Sequence, residues 1–390
     1  MNKILQLVVF FYAIIILGDY MSNIVNYINK YGHLTFEELK YNELDDLILA
    51  TISYIDFDGI LENNRYQKVK LVDAAKEYFT KYNKKEIESN LQGVLGAIKI
   101  FDYIKNEKRY KGLYLYNYSY KRDHDKQFSA LFIDINEKTT YISFEGTDDL
   151  ISGWKEDFQM TYMFPIPGQR EAIKYLNKSV PLFTNRKYIL GGHSKGGNLA
   201  IAASMFANPL IKPKIKRIIA FDSPGLKQAQ IDSKHYKSIE SRIELVVPDS
   251  CLIGLLLRRT RPFKVIKSNV SGPMAHSYMT WETIETKFIK SEFTQRSKET
   301  EKIIRMWLDK YNDEEREFLV KEMFDVFDRA HIESLTDIKI TNIGKIKAFI
   351  DESRKLDAEA QVMLKTLVQF FMDYLKNDTL SKLSAITKRK

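Results

Sequence analysis

Apolar residues follow two different spacings along this chain. From Thr35 to about Lys108 the spacing is helical: Leu47, Ile48 and Ile52 with Tyr54 and Ile55 form one broad apolar face, and Val72, Ala75 and Phe79 form another. From Gly112 the period shortens. Leu113 to Tyr118, Phe128 to Ile135 and Thr140 to Phe144 predict three successive strands, with polar turns at Lys121-Arg122-Asp123 and Asn136-Glu137-Lys138. A helix is predicted from Gln169 to Val180, with Ile173, Leu176 and Val180 on one face, followed by a strand ending at Leu190. Ile215 to Phe221, Arg242 to Val247 and Phe263 to Ile266 are further strand candidates. Strands alternating with helices predict an α/β architecture with a largely parallel, doubly wound sheet. From about Thr286 the pattern is helical again. Ile304, Trp307 and Leu308, then Met323, Phe324 and Phe327, then Leu364, Leu367, Phe371 and Tyr374 mark amphipathic helices, one of them behind a capping box at Asn312-Asp313-Glu314-Glu315. The expected divisions are an apolar leader over 1–20, a helical segment packed on the core over 21–111, the α/β core over 112–285 and a helical region over 286–390.

The stretch Gly191-Gly192-His193-Ser194-Lys195-Gly196-Gly197-Asn198 carries the chemistry. It joins an apolar strand, Lys187 to Leu190, to a run of small and apolar residues, Leu199 to Ser204. Strand, Gly-x-Ser-x-Gly and helix in that order make the nucleophile elbow of α/β-hydrolases. Gly192 and Gly196 leave room for strand and helix to pack closely, and the helix amino terminus points its positive end at the serine.

Composition narrows the field. With 60 Lys+Arg against 51 Asp+Glu the net charge is +9, spread without a basic run long enough to suggest nucleic acid. Transient contact with an anionic membrane surface is the most that it implies. The single cysteine, Cys251, excludes an internal disulfide framework and any Cys-rich metal site, and no metal or organic cofactor is implied. Ile4 to Leu17 is nearly unbroken apolar sequence behind Lys3. It admits three readings: a mis-assigned start upstream of Met21, a signal peptide, or a membrane anchor. The first gives a cytoplasmic protein and the others an exported or anchored one.

A serine nucleophile needs a base, normally a histidine oriented by a carboxylate, and the fold supplies them in the order serine, acid, histidine. Of six histidines, His33 and His124 precede the elbow, His193 adjoins the serine, and His331 lies in the helical tail. Between His235 and His276, the latter follows the last strand candidate in Ser271-Gly272-Pro273-Met274-Ala275-His276 and is the expected base. Asp249, one strand earlier, is the expected acid. Asp222, in Asp222-Ser223-Pro224-Gly225, is the alternative, with a turn aspartate as its plainer explanation. The Lys195 N–H and an N–H from the loop Glu145-Gly146-Thr147 are candidates for the oxyanion hole. Cys251 to Leu257 is strongly apolar and leads into Arg258-Arg259-Thr260-Arg261. It is either core or a substrate lid carried by Leu252, Leu255 and Leu256.

Phe144-x-Gly146-Thr147, Trp154 and Asp157, then Gly192-His193-Ser194-x-Gly196-Gly197, resemble the class 3 lipases. Phe144 to Phe158, the elbow with Lys195 and Asn198, Asp222-x-Pro224-Gly225 and Val247-Pro248 resemble more closely the Mbeg-like family of uncharacterised bacterial α/β-hydrolases. Gly32 to Phe36 and Asn42-Glu43-x-Asp45 to Tyr54-x-Asp56-Phe57 are also similar to that family, so the likeness covers about residues 21 to 285 and, more loosely, the helical tail. The resemblance implies Ser194 as nucleophile, His276 as base and Thr147 with Lys195 as oxyanion donors. Glu145 departs from it, standing where the motif usually has arginine. The expected activity is that of a lipase-like serine hydrolase acting on a small-molecule or lipid ester, and the alternative is a silent hydrolase fold that binds a lipid or a protein. Neither acyl length nor oligomeric state is encoded legibly.

Overall fold

The computed structural model describes residues 23–362 apart from 89–91, 124–125, 149–150, 335–336 and 338–342. The apolar leader and the pattern from Leu364 to Tyr374 lie outside the described residues.

Eight strands form one sheet in chain order. They are β1 (Lys68–Lys70), β2 (Tyr114–Asp123), β3 (Lys126–Asp134), β4 (Thr139–Phe144), β5 (Lys187–His193), β6 (Ile215–Phe221), β7 (Ile243–Pro248) and β8 (Phe263–Ile266). The first four pair antiparallel, and β4 through β8 run parallel. Short β1 falls within the stretch whose spacing predicts helices only. Strand β2 extends through Lys121-Arg122-Asp123, where the polar run predicts a turn, because Lys121 and Arg122 are paired there with Glu171 and with Glu145 and Asp148.

Both faces of the sheet are covered, but the strand order never reverses, so the crossover helices supply only one cover. On that face Phe128, Ala130, Phe132, Ile142, Phe144 and Leu190 pack under the helices Pro167–Ser179 and Lys195–Met205. The opposite face, with Leu131, Ile133, Tyr141, Ile189 and Ile219, is covered by the amino-terminal helices. The helix Glu43–Thr51 is buried from Leu44 to its end. The helix and the turn after it are tied to the sheet by side chains: Ser143 donates to the Ala50 carbonyl at 3.1 Å and Ser129 to that of Ser53 at 3.2 Å.

A buried carboxylate holds this cover together. Asp45 completes the capping box with Asn42, and it accepts bonds from Arg109 Nε and Nη2 at 2.8 and 2.6 Å and from the Tyr27 and Tyr110 hydroxyls at 3.1 and 2.7 Å. Arg109 and Asp45 side chains are both fully excluded from solvent. A buried pair adds little against an apolar substitute, but an unpaired survivor is costly.

At the carboxyl side, the helix Gln295–Lys310 sets Ile304 against Val247, Cys251, Leu252 and Leu255. Asn312 and Glu315 form the predicted reciprocal cap for the helix Asp313–Arg329. That helix places Phe324 edge-on to Phe158, ring centroids 5.8 Å apart. Arg109→Leu strands Asp45 and is expected to lower unfolding stability by about 3–5 kcal/mol, read as a shift of the urea midpoint at unchanged slope.

Candidate active site

The elbow is built as its glycines require. Ser194 sits at φ 57° and ψ −134°, between the end of β5 and the helix Lys195–Met205. Its N–H donates to the Phe221 carbonyl at 2.9 Å, which ties the turn to β6. A Cβ on Gly196 would stand 2.1 Å from the Phe144 carbonyl oxygen, and one on Gly192 would stand 2.5 Å from that same oxygen and from the Gly196 carbonyl carbon. These are backbone contacts that nothing can relieve. Gly146 closes the site from the β4 side, since a Cβ there would lie 3.1 Å from the Ser194 Cβ.

His276 ends a short 3₁₀ turn, Gly272–His276, that is pinned by the Trp281 indole donating to the Ala275 carbonyl at 2.8 Å. Its Nδ1 lies 2.6 Å from Asp222 Oδ2. The aspartate that meets the histidine is therefore Asp222, and the expectation for Asp249 is corrected. The physical reason is side-chain direction at the two strand ends. Asp222 takes a positive φ of 39° that turns its carboxylate to His276, and Oδ1 accepts the Gly254 N–H at 2.9 Å. Asp249 turns the other way, accepting Ser291 Oγ at 2.9 Å and, through its carbonyl, Ser297 Oγ at 2.8 Å. It holds the start of a carboxyl-terminal helix.

The lid expectation is corrected by the same contacts. Leu252 and Leu255 are buried with Cys251 against Val247 and Ile304, and Leu256 packs partly buried beside them. This segment is core, and its Gly254 N–H holds the Asp222 carboxylate.

His193 does more than adjoin the serine. Its Nε2 is 2.9 Å from the His276 carbonyl, which can only accept, so the proton sits on Nε2 and the Tyr54 hydroxyl donates to Nδ1 at 3.1 Å. Burial, then the neighbouring His276, hold His193 well below the usual imidazole range, which keeps it neutral. The two imidazole rings lie 4.4 Å apart. The Gly-His-Ser order of the motif was the only trace of this in the sequence.

The expected oxyanion donors lie on linked elements. The Thr147 hydroxyl donates to Asp157 at 2.6 Å and so is committed, whereas among the described residues neither the Thr147 nor the Lys195 N–H has an acceptor within the chain. Lys195 has a second part that the motif does not announce. Its fully buried ammonium donates to Glu156 at 2.8 Å and Gln127 at 3.3 Å. Glu156 also accepts the N–H groups of Gly168 at 2.5 Å and Gln127 at 3.2 Å, and Gln127 Nε2 reaches the Gly146 carbonyl at 3.1 Å. Burial alone would lower the ammonium, but Glu156 and then Asp157 hold it above its ordinary value. A continuous polar chain thus links the elbow to the loop that carries Thr147.

Glu145 is balanced in the same manner. Arg122 at the end of β2, two strands from β4 in the sheet, pairs with it at 2.8 Å and with Asp148 at 2.7 Å. Burial pushes Glu145 up to about 7, against the pull of Arg122, and burial pushes Asp157 up to about 6.

A mixed, mostly parallel sheet covered by helices on both faces, with a serine elbow at the carboxyl end of the central strand, defines a protein of the α/β-hydrolase fold. The family model for the Mbeg1-like family matches residues 104–325, more than half of the chain, and the chain belongs to that family. No curated protein sequence matches it. Among solved structures, the crystal structure of M37 lipase is similar at 15% identity and a TM-score of 0.33, over 55% of this chain and 70% of that one. No helix among the described residues is long and apolar enough to cross a membrane.

Glu145 holds its proton more tightly when folded than when unfolded. Between about pH 4.5 and 7 the folded state therefore binds more protons, and its contribution to stability falls as pH rises through that window. Glu145→Gln removes this slope. Relative to wild type, the variant is expected to gain stability from pH 4.5 to 7 in urea unfolding, and an unchanged difference would show the carboxyl to be unshifted.

Proposed function

We propose that this protein is a serine hydrolase of lipase or carboxylesterase type that cleaves an ester through an acyl-enzyme on Ser194. The observation that carries this reading is the 2.6 Å contact between His276 Nδ1 and Asp222, together with a serine held at positive φ on an elbow whose preceding residue, His193, lies with its ring 4.4 Å from that of His276. His276 Nε2 takes the hydroxyl proton as Ser194 Oγ attacks the ester carbonyl. Asp222, with no exposed surface, keeps the histidine proton on Nδ1 and stabilises the imidazolium that forms. The developing oxyanion is met by the N–H groups of Thr147 and Lys195, backbone donors that need no reorganisation. Collapse breaks the ester C–O bond, and the departing alkoxide takes the proton from His276. Water, deprotonated by His276, then attacks the acyl carbonyl and frees Ser194.

Lys195, Glu156 and Gln127 serve this reading as positioning residues, because they fix the distance between the two halves of the oxyanion hole. His193 and Tyr54 do the same for the turn that carries His276. The apolar segment at Leu252 and Leu255 supports the acid rather than the acyl chain.

A fluorophosphonate probe should label the wild-type protein, and Ser194→Ala should abolish both labelling and ester turnover in a folded protein. Asp222→Asn is expected to lower turnover by about 10⁴-fold through the wrong histidine tautomer. Asp249→Asn should leave turnover nearly intact and act on stability. An unlabelled, folded wild type would instead assign the fold to binding a lipid or a protein, and the reverse order of the two aspartates would overturn the triad.

A further inference from the structure

The parallel strands begin at an end of the sheet remote from Ser194, where the loops carry an unusual combination of groups. Residues 180–187 and 206–219 form the two loops and strand starts there, and they contain six Lys or Arg and no Asp or Glu. Two of the six are neutralised: Arg186 pairs with Asp134 at 2.5 Å, and Arg217 with Glu244 at 2.6 Å. Lys187, Lys212, Lys214 and Lys216 have no carboxylate partner among the described residues. Arg242 joins them from the start of β7. The nearby acid Glu240 is engaged by Lys237 at 3.3 Å.

Three of these cations, Lys212, Lys216 and Arg242, line a cavity of about 650 Å³ together with Pro209, Pro213 and Ile215. Arg242 is held rigidly by carbonyls alone, donating to Lys212 and Ile215 through Nη1 at 2.6 and 2.9 Å and to Ser238 through Nη2 at 2.6 Å. Lys212 donates to the Met205 carbonyl at 2.8 Å and Ser238 Oγ at 3.1 Å. Burial, and after it the Arg242 charge, hold the Lys212 ammonium below its ordinary value.

Apolar side chains stand out beside the cavity. Phe183 is 90% exposed, Leu210 50% and Leu182 39%. Lys214 Nζ donates to the Leu182 carbonyl, which fastens the two loops into one surface. Cations lacking counter-charges around protruding apolar side chains are the combination that binds an anionic lipid interface. A soluble phosphate would use the cations and leave Phe183 and Leu210 without a role.

We propose that this face docks the protein on an anionic membrane surface, with lipid phosphates at Lys212, Lys216 and Arg242 and with Phe183 and Leu210 at headgroup depth. Strand β5 spans seven residues between this face and the elbow. At about 3.3 Å per residue that is roughly 20 Å, so the docked protein turns Ser194 away from the bilayer. The proposal is independent of the chemistry assigned to Ser194.

Flotation of the full chain with phosphatidylcholine vesicles, with and without phosphatidylglycerol, tests it. Binding is expected only with phosphatidylglycerol and should weaken as salt is raised. Lys216→Gln should lower partitioning about fivefold and Phe183→Ser about tenfold. Both side chains are exposed, and circular dichroism melting checks that the fold is kept. Equal binding to the two vesicle types, no binding, or binding undiminished in both variants would overturn the proposal. Calorimetric binding of inorganic phosphate, lost in Lys216→Gln and without vesicle binding, would reassign the cavity to a soluble anion.

Discussion

The close approach of the elbow to the end of β4 is the constraint on which the rest of the molecule depends. Ser194 can hold φ 57° only because Gly192 and Gly196 present no side chain to the Phe144 carbonyl and because its own N–H is spent on Phe221. A backbone under such strain persists where its surroundings over-determine it, and here they come from three directions. Strands β4 and β6 flank it, the fully buried helix Lys195–Met205 continues it, and the amino-terminal cover reaches it through Tyr54. The helices over residues 23–111 are therefore part of the site's support as well as a cover for the sheet.

Charges are handled in the same way around the loop from Glu145 to Asp148. Glu145, Asp148, Asp157 and Glu156 converge there, and the cations that meet them, Arg122 and Lys195, come from β2 and from the elbow. Each cation bridges elements that are distant in the chain, so the loop is held by contacts from across the fold as well as by its own turn. Low local dielectric makes such a network rigid while it is complete and costly once a member is lost.

The two ends of the parallel strands have opposite characters. Their carboxyl ends gather a buried serine, a histidine and a caged aspartate. Their amino ends carry exposed cations and protruding apolar side chains. An α/β sheet separates its ends in this manner because the loops at each end answer to different demands, while the strands between them are bound by core packing.

What could be read from the sequence was local. The elbow was legible because glycine, serine and small helix residues must be neighbours in the chain for that turn to form, and the parallel strands were legible from short apolar runs. The cap at Asn312 was legible for the same reason. His276 could be reached by elimination, because histidines are few. The choice between Asp222 and Asp249 could not. Both follow apolar strands, and only the fold decides that one carboxylate turns to His276 while the other turns to Ser291. Composition could not separate a lid from a core at Leu252 and Leu255, since burial in either place asks for the same residues. The doubly wound cover was expected from alternating elements, yet its second layer comes from the amino-terminal helices, a matter of long-range packing. Lys195 with Glu156 and Arg122 with Glu145 are 39 and 23 residues apart, so no window along the chain contains their pairing. Backbone conformation and periodicity depend on neighbours in sequence, and partner choice by buried charges depends on neighbours in space.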